Sequence, residues 1–229
     1  MKLLAIDTAT EACSVALLVD GQVFDRYAVI PRLHARQLLP MVQQVLDEAG
    51  TGLAAVDAIA FGQGPGAFTG LRIAAGVVQG LAFALDKPVL PVSSLAAIAQ
   101  RAWREQQAAQ VAVAIDARMD EVYWGCYVMH DGHMQLQGME QVCAPEDASL
   151  PRNGSGQWLA AGTGWQAYAG RIQVPVTGQA GQHLPHALDI LALAQSYWQQ
   201  GLAIKPEQAQ PVYLRDRVAT PKQLAQVKA

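Results

Sequence analysis

Leu3-Leu4-Ala5-Ile6-Asp7 is a short apolar strand pattern that ends on an acidic residue, and it returns as Val111-Ala112-Val113-Ala114-Ile115-Asp116. The two acidic residues are 109 positions apart, and each stretch leads into a β-rich segment, an Asp-Gly turn and another strand. The turns Asp20-Gly21 and Asp131-Gly132 are strong hairpin signals because both positions tolerate positive φ. A unit that occurs twice at nearly one period indicates an α/β protein of two duplicated lobes, with two unrelated hairpins as the alternative.

A polar stretch, Gln106 to Gln110, lies between the two copies of this unit. We therefore predict a first lobe of residues 1–106 and a second lobe of residues 107–229. Pro206 and Pro211 lie in the more polar tail of the second lobe. Because proline interrupts helices, the tail is predicted to be a surface segment rather than a core helix.

Composition narrows the class of protein. The chain has 229 residues, of which 52% are hydrophobic and 15% charged, with a net charge of −3. This is a globular composition, and it argues against a broad basic surface for nucleic acid. The three cysteines, Cys13, Cys126 and Cys143, form no CxxC motif, which favours a reducing compartment. The first apolar run is too short for a signal peptide and no stretch reads as a membrane span, so we expect a cytoplasmic protein.

A glycine-rich loop, Gly64 to Gly70, follows a predicted strand and opens a predicted helix. Free backbone N–H groups at a helix start attract anions, so the loop is a candidate phosphate site. It lacks the lysine of a Walker loop. A tight strand-to-helix turn with Thr69 as the helix cap explains the same residues equally well.

The end of the first strand offers an acid and two hydroxyls, which can hold a phosphate or a magnesium-bound water. Simple turn capping is the alternative. In the second copy, Asp116 is followed by Ala117, Arg118 and Met119, whose side chains would crowd a triphosphate. The candidate phosphate cleft comprises Asp7, Thr8, Thr10, Gly64, Gly66, Thr69 and Asp116.

The sequence does not predict a metal site. A nuclease would need several acids converging on two metals, and the strand that ends near Phe61 supplies none. No HExxH motif occurs, and the five histidines are expected at the surface. They are His34, His130, His133, His183 and His186.

The segment from Gly70 to Leu85 is predicted to be a helix whose polar residues are Arg72 and Gln79. A helix on a sheet normally buries a single stripe, so this one must be covered on more than its sheet side. Either a partner protein or the second lobe of the same chain could cover it. The helix predicted from His34 to Ala49 also has a wide apolar arc.

Five strings of residues together resemble the bacterial TsaB (YeaZ) family. They are Leu4-Ala5-Ile6-Asp7-Thr8-Ala9-Thr10, His34 with Leu38-Leu39-Pro40, Gly64-Pro65-Gly66-Ala67-Phe68-Thr69-Gly70-Leu71-Arg72-Ile73, Asp116-Ala117-Arg118 with Glu121-Val122-Tyr123, and Pro211-Val212-Tyr213-Leu214-Arg215. The match runs nearly end to end and is least clear between residues 130 and 200.

The resemblance implies an actin/Hsp70/sugar-kinase-like (ASKHA) fold of two ribonuclease-H-like lobes, in agreement with the duplication. It implies a non-catalytic role in making N6-threonylcarbamoyladenosine at position 37 of tRNAs that read codons beginning with A. In that family the paralogue TsaD is the catalytic subunit, and the ATPase TsaE joins the assembly. The chain would then have no cofactor of its own and would meet tRNA indirectly, through the complex.

The metal motif of the paralogue is HxxxH, just after the strand that follows the long apolar helix. The corresponding positions in this chain are Ser94 and Ile98. Neither is a credible ligand for that metal, since isoleucine has no donor atom. The resemblance thus agrees with a subunit that cannot perform the transfer alone.

The family also implies pairing with TsaD through the first-lobe helices, with the same surface able to form a homodimer. We expect this surface to include Leu39, Val42, Leu46, Ala74, Val77, Val78 and Leu81. Two alternatives of another class are a small-molecule kinase or ATPase that uses the inter-lobe cleft, and a metallopeptidase. A weak adenine-nucleotide site at the lobe interface is compatible with the scaffold role.

Overall fold

The computed structural model describes residues 1–151, 156–181 and 183–215. Within these ranges the chain forms strands and α-helices, joined by loops and three short 3-10 helices. The strands are β1 (Lys2–Asp7), β2 (Ala12–Val19), β3 (Gln22–Val29), β4 (Ala58–Gly64), β5 (Val89–Ser93), β6 (Gln110–Arg118), β7 (Glu121–His130), β8 (His133–Leu136), β9 (Gln141–Cys143), β10 (Leu159–Ala161) and β11 (Gly178–Gln179). The helices are α1 (His34–Glu48), α2 (Phe68–Leu85), α3 (Ser94–Gln106), α4 (Gly164–Ala167) and α5 (Ala187–Gln199).

The strands form two sheets with the same connectivity. The first has the order β3-β2-β1-β4-β5, and the main path of the second is β11-β10-β6-β7-β8. In each sheet the first three strands form an antiparallel meander, and two later strands add in parallel beside the first strand: β4 and β5 in the first sheet, β10 and β11 in the second. The second sheet has a sixth strand, β9, which pairs with β7. The predicted duplication into two ribonuclease-H-like lobes, the ASKHA arrangement, is therefore confirmed.

Strand β1 shows how the first sheet serves two cores. Side chains alternate between the two faces of a strand. Leu4 and Ile6 pack with α1 and α2 on the outer face. Leu3 and Ala5 pack into a second core that α3 and α5 share with the other sheet. A strand buried on both faces reads as a continuous apolar run, which is what the sequence shows.

Helices α3 and α5 exchange places between the lobes. Helix α3 follows β5 but packs on β6, β7 and β8 of the second sheet. Helix α5 follows β11 but packs on β1, β2, β4 and β5 of the first sheet. Arg104 and Asp189 form a two-pronged ion pair between them, with both N···O distances 2.9 Å. The predicted lobe boundary after residue 106 coincides with the end of α3, and the division itself stays a prediction.

The tail returns to the first lobe after α5. Ile204 pairs with Val89 in an antiparallel bridge at the sheet edge, and Ala209 is fully buried. The prolines predicted a surface segment, but the tail is partly buried, because the side chain of Ala209 packs into the core of the first lobe. Residues 216–229 of the predicted tail lie outside the described residues.

Helix α2 is long and apolar enough, by length and composition, to cross a membrane. The core helix of a soluble protein meets the same criterion, so this finding does not overturn the expectation that no stretch reads as a membrane span. The helix nevertheless packs on β4, and Leu71, Ala74 and Val78 are buried in the core of the first lobe. The apolar residues on one side of the helix are therefore buried in the first lobe. Those on the opposite side are not buried by that lobe.

Candidate functional site

The loop after β4 packs backbone to backbone against the turn after β1. A Cβ atom at Gly66 would lie 2.4 Å from the Ala9 carbonyl oxygen, and one at Gly70 would lie 1.9 Å from that of Thr8. The Ala67 N–H donates to the Ala9 carbonyl over 2.7 Å, and the Thr8 hydroxyl donates to the Gly70 carbonyl. These two glycines thus permit a tight loop contact, the structural alternative to a phosphate cradle.

Asp7 is sealed beneath this contact. Its Oδ1 accepts from the Ala9 N–H over 3.1 Å, while Oδ2 is buried without a hydrogen-bond partner. A Cβ at Gly62 would lie 1.9 Å from that Oδ2, and the side chain of Ile190 lies beside it. Burial raises the pKa of Asp7 to about 7, an effect that the Ala9 hydrogen bond only partly offsets.

A cavity of about 660 Å³ lies between the lobes. Of the seven predicted cleft residues, Thr10, Gly66 and Asp116 line it. The other four do not: they are Asp7, Thr8, Gly64 and Thr69. For these four the cleft prediction is wrong, because the first two are buried under the loop contact, a tail carbonyl takes the space beside Gly64, and Thr69 is solvent-exposed.

Thr69 also does not cap α2. The N-cap residue of this helix is Ala67, and no side chain accepts a hydrogen bond from the first turn. The helix start therefore relies on the loop contact to the Ala9 carbonyl rather than on a capping hydroxyl. This corrects the prediction of a threonine cap.

Asp116 lies in the second-lobe wall of the cavity, and both of its carboxylate oxygens have partners. Oδ1 accepts from the Arg118 N–H over 2.8 Å and from the Tyr168 hydroxyl over 3.0 Å, while Oδ2 pairs with the Arg118 guanidinium over 2.8 Å. Arg118 and Met119 line the cavity and have φ angles of 63° and 57°. Left-handed backbone is costly outside glycine, so this turn is strained.

Within the described ranges, no group of three His, Cys, Asp or Glu side chains lies close enough together to hold a metal ion. Three histidines are buried, contrary to the expectation of surface positions: His34, His183 and His186. His186 stacks on Tyr27 with ring centroids 4.6 Å apart and accepts from the Leu188 N–H at the start of α5. Burial, and then nearby arginines, lower the pKa of His186 to about 4. His183 and His186 join elements of the two lobes, through Glu105 and Tyr27 respectively, whereas His34 contacts the Ala12 carbonyl within the first lobe.

The outer side of α2 is apolar and partly exposed to solvent. Gly76, Gly80 and Phe83 are exposed there, and 77% of Phe83 is accessible. Val77 and Leu81 are half-buried beside them. The outer side of the neighbouring α1 is mostly polar, with Leu39 half-exposed.

The seven predicted interface residues divide between the core and the surface. Val42, Leu46, Ala74 and Val78 are buried in the core of the first lobe, so the prediction that they contact a partner is wrong. Their side chains face the sheet that the two helices cover. Leu39, Val77 and Leu81 remain accessible, at least in part.

The outer α2 face includes Gly76, Gly80 and Phe83. The sequence already indicated Gly76 and Gly80 as small residues that would permit a close helix approach, whereas Phe83 was missed. Spacings of three and four residues place them on one side of a helix. That signal was present in the sequence but could not be assigned, because nearly every position of α2 is apolar or small.

Known proteins resemble this chain over nearly its whole length. A family model described as "TsaD: tRNA N6-adenosine threonylcarbamoyltransferase" matches residues 27–223. The tRNA threonylcarbamoyladenosine biosynthesis protein TsaB of Escherichia coli is 45% identical over 223 residues, which cover 96% of both chains. The protein of the same name from Haemophilus influenzae is 43% identical over 95% of both chains. The structure titled "YeaZ from Pseudomonas aeruginosa" superposes with a TM-score of 0.90 at 60% identity, over 93% of this chain and 99% of that one. These similarities, together with the duplicated lobes, show that the chain belongs to the bacterial TsaB (YeaZ) family.

Proposed function

We propose that this chain is a partner-binding subunit in the synthesis of threonylcarbamoyladenosine at adenosine 37 of tRNAs that read codons beginning with A. The names of its relatives from Escherichia coli and Haemophilus influenzae support the pathway. The finer role is a scaffold without a complete active site. It is supported by the exposed outer face of α2 and by the burial of Asp7 away from the cavity.

The observation that carries the proposal is the glycine pair on α2. A Cβ at Gly76 or Gly80 would meet no atom of residues 1–151, 156–181 or 183–215 within 4 Å. Glycine within a helix costs about 1 kcal/mol relative to alanine. No contact among the described residues accounts for that cost, whereas a second helix approaching closely would require both glycines. The exposed Phe83 one turn further on supplies the aromatic anchor that interfaces commonly use.

The partner that fits the family is the catalytic paralogue TsaD, and a second copy of this chain would use the same face when TsaD is absent. TsaE would join the heterodimer, and tRNA would be met through the complex. The proposed location is the cytoplasm, with no membrane contact. Six residues of α2 already lie in a protein core, so its remaining apolar side is better suited to a protein than to lipid.

Two features support the proposal that the chain has no complete active site of its own. The carboxylate of Asp7 is sealed by Gly62 and by Ile190 of α5, so a substrate in the cavity could not reach it. Ser94 and Ile98, at the positions of the paralogue's histidines, are fully buried in α3. The chain would therefore need neither a metal nor a cofactor of its own.

Light scattering on a sizing column tests the proposal, with the chain run alone and then mixed with TsaD from the same organism. The wild-type chain should form a 1:1 heterodimer that replaces its homodimer. Gly80→Leu should weaken both associations at least tenfold, because the added side chain blocks a close helix while fitting the isolated fold. Met139→Asp, at an equally exposed apolar residue of the second lobe, is the matched control. Unchanged binding by Gly80→Leu would show that the partner does not dock on α2.

A cleft enzyme of the kinase or ATPase type is the second candidate, and the cavity favours it. Its volume of about 660 Å³ is within the range of small-molecule sites, which would suit a weakly held adenine nucleotide. Asp116 lines the cavity whereas Asp7 does not, so Asp116→Asn is the informative variant. ATP turnover that Asp116→Asn abolishes would favour this candidate, and calorimetry without a binding heat at millimolar ATP would remove it.

A further inference from the structure

The tail crosses from one lobe to the other along one side of the inter-lobe cavity. After α5 it runs over the first lobe, where the Gln79 side chain donates to the Ala209 carbonyl over 2.9 Å. The Val212 N–H then donates to the Gln63 carbonyl over 2.8 Å. Gly64 leaves room for this crossing, because a Cβ there would lie 2.7 Å from the Val212 oxygen. The segment is thus seated on the first lobe by backbone contacts.

Tyr213 continues this seat at the start of α2. Its ring lies 5.4 Å from that of Phe68, and its hydroxyl accepts from the Arg72 guanidinium over 3.2 Å. The same guanidinium lies 3.8 Å above the Phe68 ring. Tyr213 also lines the cavity. The aromatic pair therefore closes part of the cavity wall with a residue from the tail.

Arg215 then reaches the second lobe. Its guanidinium forms an ion pair with Glu121 and donates to the Arg118 carbonyl over 3.2 Å. It also contacts the Met119 sulfur over 3.4 Å. These groups belong to the turn between β6 and β7, whose three residues 118–120 all have left-handed φ angles. One side chain thus satisfies a strained turn from across the cavity.

We propose that residues 209–215 act as a latch: they connect the two lobes across the mouth of the cavity, and Arg215 makes the contact with the second lobe. The physical reason is the asymmetry of its contacts. The contacts with the first lobe are spread over several backbone and aromatic groups, whereas the hydrogen bonds and ion pair to the second lobe that the described part of the tail makes come from the Arg215 guanidinium. Arg215 is only 16% exposed, so its ion pair with Glu121 is partly shielded from water. Release of Arg215 would free Tyr213 and widen the entrance to the cavity.

Hydrogen exchange of the full chain, read by mass spectrometry, tests the latch. Glu121→Gln changes only the second lobe, yet it should speed exchange at the Val212 amide, which is held by the first lobe, by at least tenfold. Arg215→Gln should have the same effect, and the double variant should add little to either change. Amides inside α2 should exchange as in the wild-type chain.

Arg171→Gln is the matched control, because Arg171 pairs with Asp120 in the same turn and with Glu146 but stays within the second lobe. It should leave the Val212 amide unchanged. An unchanged Val212 amide in Arg215→Gln, or an equal rise in Arg171→Gln, would overturn the latch.

Discussion

Replacing Asp7 with asparagine should make the stability of this protein less dependent on pH. In the unfolded chain the carboxyl group ionises near its ordinary pKa of 3.8, whereas burial raises the pKa to about 7 in the folded protein. Asparagine keeps the acceptor for the Ala9 N–H but cannot ionise. The variant thus removes the proton equilibrium and leaves the shape of the site.

The sign and size of the effect follow from linkage between protonation and folding. The folded state holds the Asp7 proton more tightly, so the stability tied to this proton is present below pH 3.8 and is lost as the pH rises to about 7. At about 1.4 kcal/mol for each pH unit, the full loss is about 4 kcal/mol. Between pH 5 and pH 8 the wild-type chain should lose about 3 kcal/mol relative to Asp7→Asn.

Urea unfolding at pH 5 and pH 8, followed by circular dichroism at constant ionic strength, measures this difference. Other titrating groups cancel because both proteins carry them. Asp57→Asn, which removes an exposed carboxylate that accepts from the Lys2 N–H, is the control. If the two proteins lose stability in parallel, or the wild-type chain gains on the variant as the pH rises, then Asp7 is ionised in the fold and the reasoning from burial fails.

Three further predictions rest on other parts of the structure. Gly70→Ala should destabilise the chain by about 3 kcal/mol or more in urea unfolding, because its Cβ would overlap the Thr8 carbonyl oxygen. Gly80→Ala on the same helix should stabilise the chain by about 1 kcal/mol. If both variants changed the free energy of unfolding in the same direction, the packing of α2 described above would be wrong. Arg104→Met should lower the free energy of unfolding by about 3 kcal/mol, since it leaves the buried Asp189 carboxylate unpaired, and a change within experimental error would show that water reaches that carboxylate. The ring resonances of His186 should stay constant from pH 8 to pH 5 in an NMR titration and move only near pH 4, and a midpoint above 6 would refute the burial of this ring.

The local elements of the fold could be predicted from the sequence because their signals are local. The Asp-Gly turns mark both hairpins, and the repeated apolar run ending on Asp7 and Asp116 marks the duplication. The apolar arc of α1 and the mostly apolar sequence of α2 predicted both helices closely. Each of these signals depends on residues that are neighbours in the chain.

The exchange of α3 and α5 could not be predicted in the same way. Which sheet a helix covers is decided by contacts between distant parts of the chain, and both sheets offer apolar faces. The same limit applies to the candidate site. Asp7 looks like a reactive acid in the sequence, and only the fold brings Gly62 and Ile190 against it. Val42 and Val78 were predicted to be interface residues because the sequence does not show whether an apolar side chain faces the core or a partner.

The exchange of α3 and α5 has a consequence for how such a chain could have arisen. Each helix follows the last parallel strand of its own lobe and packs on the sheet of the other. A single ancestral lobe would have had this helix with no intramolecular place for it, and a bare sheet face. In a domain-swapped dimer of two identical copies, the helix of each copy would pack on the exposed sheet face of the other. A gene fusion would then turn a contact between molecules into a contact within one. The two halves of the present protein, expressed as separate fragments, should accordingly be poorly soluble alone and recover their structure when mixed.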